Sequence, residues 1–248
     1  MGGLAHFFED EGIPTTQISL IRIHTEKIQP PRALWVPFEL GRPLGVPDDP
    51  DFQKKVLLAA LSLLEKDQGP VLEDFPEDAP QSDTPVTQLS CPVSFPGQEV
   101  ELPEPRKKCE ALKQEILSLT PWYDLAVEKR GRTTVGVSGV AWELIPDFLS
   151  AFLTEEAPEN PNPSMALPQV LNLAVDDIKA FYTEAITAQP GQNSPSSQVL
   201  SDWFWNETLA GKMIFEIRDV CKKAKDPFLR VVGNVMLIPA DQVNKRKS

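Results

Sequence analysis

Apolar positions fall into two rhythms along this chain. Leu4, Phe7 and Phe8 are spaced as on one face of a helix, and Gly12 ahead of Ile13-Pro14 supplies its stop. From Thr16 to Ile21 the rhythm shortens to alternation, Thr16, Ile18 and Leu20 against Gln17 and Ser19, which predicts a strand. An unbroken apolar run from Ala33 to Phe38, behind Pro30 and Pro31, predicts a second, buried strand. Beyond a loop, Phe52, Val56, Leu57, Ala60, Leu61 and Leu64 return at steps of three and four and predict a helix ending near Gly69. Asp49 and Pro50 supply its N-cap and first position.

From Arg106 onward the rhythm is helical throughout. Cys109, Leu112, Ile116 and Leu119 mark one helix, and Thr120-Pro121 caps a continuation through Val127. The stretch from Arg130 to Gly139, with three glycines, interrupts the pattern before a helix over 141–153. Four prolines between 158 and 168 mark a loop. Leu171, Ala174, Ile178, Phe181 and Ala185 form an amphipathic stripe that Pro190-Gly191 stops. Leu200, Trp203, Phe204, Ala210, Ile214, Ile217 and Cys221 predict one long helix, and Asp226-Pro227 opens a short last one through Leu237.

The expected fold is therefore α/β plus all-α: a partial parallel three-layer unit, joined to a bundle of about five helices. The α/β unit lacks a piece, because its first helix has no strand before it and a crossover helix links two parallel strands. The expected domains are an α/β segment over 1–68, a linker over 69–105, a helical domain over 106–240 and a basic tail over 241–248. The linker follows from composition, since Gly69 to Pro105 holds eight prolines and eight acids and no lysine or arginine. Only Val86 to Val93, with Cys91 inside it, has the character to pack.

Charge and cysteine usage narrow the partners. A net charge of −12 across 248 residues opposes binding to nucleic acid or to an anionic membrane, and Lys245-Arg246-Lys247 reads as a solvated terminus. Three scattered cysteines, with no signal peptide and no long apolar run, place the chain in the cytoplasm.

The candidate chemistry centres on the loop from Pro37 to Gln53. Gly41 and Gly45 allow close backbone approach, Arg42 offers a fork of donors, and the helix beginning at Pro50 adds partial positive charge, a set suited to a ligand anion. The alternative pairs Arg42 with Glu39 or an aspartate. His24, one of two histidines with His6, follows the first strand and belongs either at the carboxyl edge of the sheet or on the surface. Neither a P-loop nor a dinucleotide fingerprint is present, and no cofactor is expected.

In the helical half, Glu207 falls on or beside the buried stripe, Asp177 and Glu184 share a helix edge, and Glu143 and Asp147 are four apart. No histidine follows residue 24 to complete a carboxylate-bridged centre, so no metal is expected. The aromatic set Trp122, Tyr123, Trp142, Phe181, Tyr182, Trp203, Phe204 and Trp205 reads as core packing or as a groove for a partner. Cys221 lies on an apolar helix face, as an inert core thiol does.

Residues 3–66 resemble the selenoprotein B subunits of the glycine, betaine, sarcosine and D-proline reductases. The resemblance is carried by Glu11-Gly-Ile-Pro-Thr15, by the strand before Pro37, and by Pro43-Leu-Gly-Val-Pro47 followed by Gln53 and the Ala60-Leu61 helix. It implies a thiol- or selenol-dependent reductase of small amino-acid-like ligands, whose nucleophile lies just upstream of the helix that opens this chain. On that basis Met1 to Ser248 is expected to be inactive alone. The alternative is a non-catalytic interaction or assembly module, partnered by another protein or by a second copy through its aromatic helical domain.

Overall fold

The computed structural model describes residues 2–80, 104–154, 158–189 and 195–246, in two compact units, 1–81 and 82–248. It is mostly helical, with one small sheet. Cys91, the stretch from 86 to 93, Pro190, Gly191 and Lys247 lie outside the described residues.

The first unit runs α1 (Gly2–Asp10), β1 (Gln17–Ser19), α2 (Arg22–Ile28), β2 (Arg32–Trp35), α3 (Pro50–Ser62) and β3 (Val71–Asp74). Its strands are parallel in the order β1-β2-β3, with Ile18 beside Leu34 and Leu34 beside Glu73. Asp49 caps α3 by accepting the Phe52 N–H at 3.1 Å, as its position before Pro50 implies. Phe52, Val56 and Ala60 on α3 bury against Leu34, Val36, Phe38 and Phe75, and the rings of Phe38, Phe52 and Phe75 meet at 5.5–5.9 Å. Burying each such large side chain contributes about 1.5–3 kcal/mol. Gly45, at φ +84°, lies so close to Phe52 that a Cβ would stand 2.7 Å from its ring. The loop is thereby seated on α3.

Several expected boundaries change. Both strands are shorter than their apolar runs, and α2 occupies the expected connection. That helix carries Ile23, Thr25 and Ile28, β-branched residues that weaken its local signal. Residues 71–74, assigned to the linker by composition, form β3. Two apolar residues followed by Glu73 and Asp74 carry little strand signal, and pairing with β2 makes the strand. α3 stops at Ser62 and continues as one 3-10 turn through Glu65.

The second unit comprises α4 (Glu104–Arg130), α5 (Ile145–Ala151), α6 (Leu167–Thr187), α7 (Ser197–Glu207), α8 (Leu209–Lys223), α9 (Pro227–Val231), a π-helical turn (Val232–Met236) and α10 (Ala240–Lys245). Its core centres on α6, which buries twelve of its 21 residues and packs along α4. Pro121 does not divide α4; the helix is continuous, and Thr120 Oγ1 bonds back to the Ile116 carbonyl at 3.0 Å. The long helix expected from Leu200 to Cys221 is instead two. Thr208 ends α7 and caps α8, accepting the Gly211 N–H at 3.0 Å, while Glu115 takes the Leu209 N–H at 2.9 Å and the Tyr182 hydroxyl at 2.7 Å. The expected tail forms α10, with Lys245 paired to Asp202 at 2.6 Å and Arg246 over the Phe215 ring.

The glycine-rich stretch from 131 to 139 is bound to α6 by two carboxylates. Asp177, fully buried, accepts the Gly136, Val137 and Ser138 N–H groups at 2.7, 2.9 and 3.1 Å and the Ser138 hydroxyl. One turn pair along, Glu184 accepts from the Thr134 N–H and hydroxyl and from Thr133. Burial raises the Glu184 pKa, but these hydrogen bonds and the Arg130 charge outweigh it and hold the carboxyl below the usual range.

A candidate groove at the open edge of the sheet

In a parallel ladder both backbone groups of one residue face the same neighbour, and those of the next residue face away. The Ser19 carbonyl accepts the Val36 N–H at 2.9 Å, so Ser19 faces β2 and Ile18 presents its N–H and carbonyl to the other side. Among the described residues no strand pairs there.

A groove of about 740 Å³ runs along this edge. Thr16, Ile18 and Leu20 form one wall, Leu57, Ala60 and Leu61 of α3 another, and Gly41, Pro43 and Leu44 close the end beyond the carboxyl termini of the strands. Thr16 Oγ1 donates to the Ala60 carbonyl at 2.9 Å and fixes β1 to α3. The lining is dominated by aliphatic side chains. It extends onto a second apolar stripe of α3 and the 3-10 turn after it, where Leu57, Leu61 and Leu64 recur at i, i+4 and i+7 and remain exposed with Leu58. A helix apolar on two faces is suited to burial on both.

The residues singled out from sequence are only partly gathered here. Gly41 lines the groove at φ +91°, with no atom within 4 Å of a Cβ. Arg42 turns to Glu39, 3.7 Å away, and both are substantially exposed. Gly45 serves packing against Phe52, and the N-terminus of α3 is taken by Asp49. His24 sits exposed on α2. Of the set expected to hold an anion, Gly41 lines the groove, while Arg42, Gly45 and the α3 N-terminus make the contacts just described. Sequence reasoning missed Ile18, Leu57 and Leu61 as lining residues, although the excess leucines of α3 were visible in its pattern.

The helical unit has a smaller cavity of about 480 Å³, lined by Arg106, Cys109, Glu110, Asp147, Ser150 and Thr154 among others. The Cys109 thiol donates to Asp147 at 3.3 Å, and Lys113 pairs with the same carboxylate at 2.8 Å. Burial, then the neighbouring carboxylate, pushes the Cys109 thiol up, and burial alone pushes Cys221 up to about 11. Both stay protonated near neutrality and are poor nucleophiles. Glu207 is exposed rather than beside the buried stripe, Glu143 is exposed, and Asp177 and Glu184 are committed to the loop described above. The aromatics lie in or against the core, with Phe181 and Tyr182 fully buried. Among the described residues no helix is long and apolar enough to cross a membrane. No family model, curated protein or solved structure matches this chain.

Proposed function

We propose that the α/β unit is a reductase-B-like scaffold whose groove receives a strand bearing a thiol or selenol, completing a site for a small amino-acid-like ligand. The observation that carries this reading is the outward-facing backbone of Ile18 beside an aliphatic groove, at the sheet end where α/β proteins bind ligands. An added strand covers the edge, and a helix packed behind it covers Leu57, Leu61 and Leu64. Gly41 to Leu44 then borders the reacting group. In the step the resemblance implies, the thiolate or selenolate forms a bond to the α-carbon as the C–N bond breaks, and its electron pair leaves with the amine, which takes up a proton.

The cysteines of the described residues are unsuited to that role, being buried and protonated. The purified chain, incubated with dithiothreitol, is expected to release no amine from glycine, sarcosine or betaine, and no ring-opened amino acid from D-proline, above the protein-free rate. Sustained amine release by the chain alone would overturn the proposal that the nucleophile comes from another segment. A second reading, a purely non-catalytic docking module, draws on the same exposed leucines of α3. It predicts strand capture with no turnover even when a thiol-bearing strand is supplied.

A further inference from the structure

The C-terminal part of the helical unit carries a feature unrelated to the groove. Through α9 and the π turn, Leu229, Val232, Gly233 and Leu237 face the core, while Phe228, Val231, Val235 and Met236 face outward. Phe228 and Val235 are each 72% exposed. The wide π turn brings both Val235 and Met236 to the surface; such turns are rare and recur at functional positions. Gly233 is packed so tightly on the last turns of α8 that a Cβ would stand 2.8 Å from Cys221 Cβ and 3.0 Å from the Lys222 nitrogen. The ridge is thus fixed on a rigid base.

The charge around it is opposite to that of the whole chain. Residues 222–236 hold Lys222, Lys223, Lys225 and Arg230 against a single acid, Asp226, whose carboxylate is engaged by the Phe228 N–H at 2.8 Å. Among the described residues none of these four cations is in an ion pair. Arg230 instead donates to the Ala224 and Lys225 carbonyls at 3.0 and 2.8 Å, which places its guanidinium at the α8–α9 turn. The acid next along α8, Asp219, lies one turn before Lys222 and Lys223 and pairs with Arg218 at 3.4 Å, so the turn keeps its excess of cations.

We propose that this ridge docks on an anionic lipid surface, with Phe228, Val231, Val235 and Met236 entering the headgroup boundary and the basic turn meeting lipid phosphates and carboxylates. Charge complementarity selects an anionic partner, and four exposed apolar side chains beside a basic turn suit insertion into the headgroup boundary of a lipid surface. The expectation drawn from net charge, that anionic membranes repel the protein, is replaced at this one face.

The test is sedimentation of the full chain with phosphatidylcholine vesicles, with and without about 30% phosphatidylserine, at roughly 0.1 M salt. Binding to the anionic vesicles should exceed binding to the neutral ones by about tenfold. It should fall by a similar factor in a K222E/K223E/K225E variant and, separately, in an F228S/V235S variant. All five altered side chains are exposed, and circular dichroism checks that the variants fold. Equal distribution of the wild type between the two vesicle types, or anionic binding left unchanged by both variants, would overturn the proposal.

Discussion

Asp177→Ala is expected to destabilise the helical unit by about 3–5 kcal/mol, because it strands three backbone N–H groups whose unmet desolvation costs about 1–3 kcal/mol each. The carboxylate is fully buried and holds the Gly136, Val137 and Ser138 N–H groups together with the Ser138 hydroxyl. Gly136 and Val137 are exposed and Ser138 is buried, so the loss falls most heavily on the Ser138 N–H and hydroxyl, and part of it appears as disorder over 131–139. Asp177→Asn keeps the shape but turns a donor toward one of these donors, and an intermediate loss of about 2 kcal/mol is expected. Thermal unfolding followed by circular dichroism reads both, at roughly 2–4 °C per kcal/mol for a unit of this size. A midpoint for Asp177→Ala within error of wild type would show that the loop does not depend on this anchor.

Gly211→Ala is the second large effect. A Cβ there would stand 2.1 Å from the Phe204 carbonyl oxygen and 2.9 Å from the Trp205 Cα, and both neighbours are backbone. No rotamer change relieves the contact, so α7 and α8 must separate at Thr208, where the two helices share a cap. Overpacking of a core costs about 1–3 kcal/mol, and with a backbone neighbour the upper end or beyond is expected. Gly131→Ala provides the comparison: its φ is +65° with open space around it, so only the left-handed conformation opposes the change, at about 1 kcal/mol. Urea denaturation of the two variants should rank them in that order. An equal loss in both would mean that α7 and α8 can separate at Thr208 at little cost.

The elements legible in the sequence were those whose local and tertiary signals agree. The α6 stripe of Leu171, Ala174, Ile178, Phe181 and Ala185 is buried at every position, and Asp49-Pro50 and Asp226-Pro227 both begin helices. The missed elements depend on partners distant in sequence. β3 exists through its ladder with β2, and the break at Thr208 depends on Glu115, 94 residues away from Leu209, closing the start of α8. Pro121 misled because a proline inside a helix and one opening a helix look alike locally.

The candidate site was legible as a region but not as a set of residues. The loop from Gly41 to Gly45 does border the groove, yet its Arg42 lies 3.7 Å from Glu39 with both exposed, and Asp49 occupies the helix end. What periodicity did contain was the surplus of leucines on α3. Periodicity alone puts Leu57, Leu61 and Leu64 in one stripe with Phe52, Val56 and Ala60, whereas α3 and its closing turn carry two, one buried and one facing the groove and solvent. The width of an apolar face thus marked the open side of the unit more directly than the glycines and the arginine did.

Amide hydrogen exchange at β1 tests the central claim, that the outer edge of the sheet is free to take a strand. In the isolated full chain the Ile18 N–H, pointing away from β2, should exchange near its intrinsic rate, while the Ser19 N–H, facing β2, is protected. Protection of Ile18 equal to that of Ser19 would show that the edge is already covered and would contradict the account.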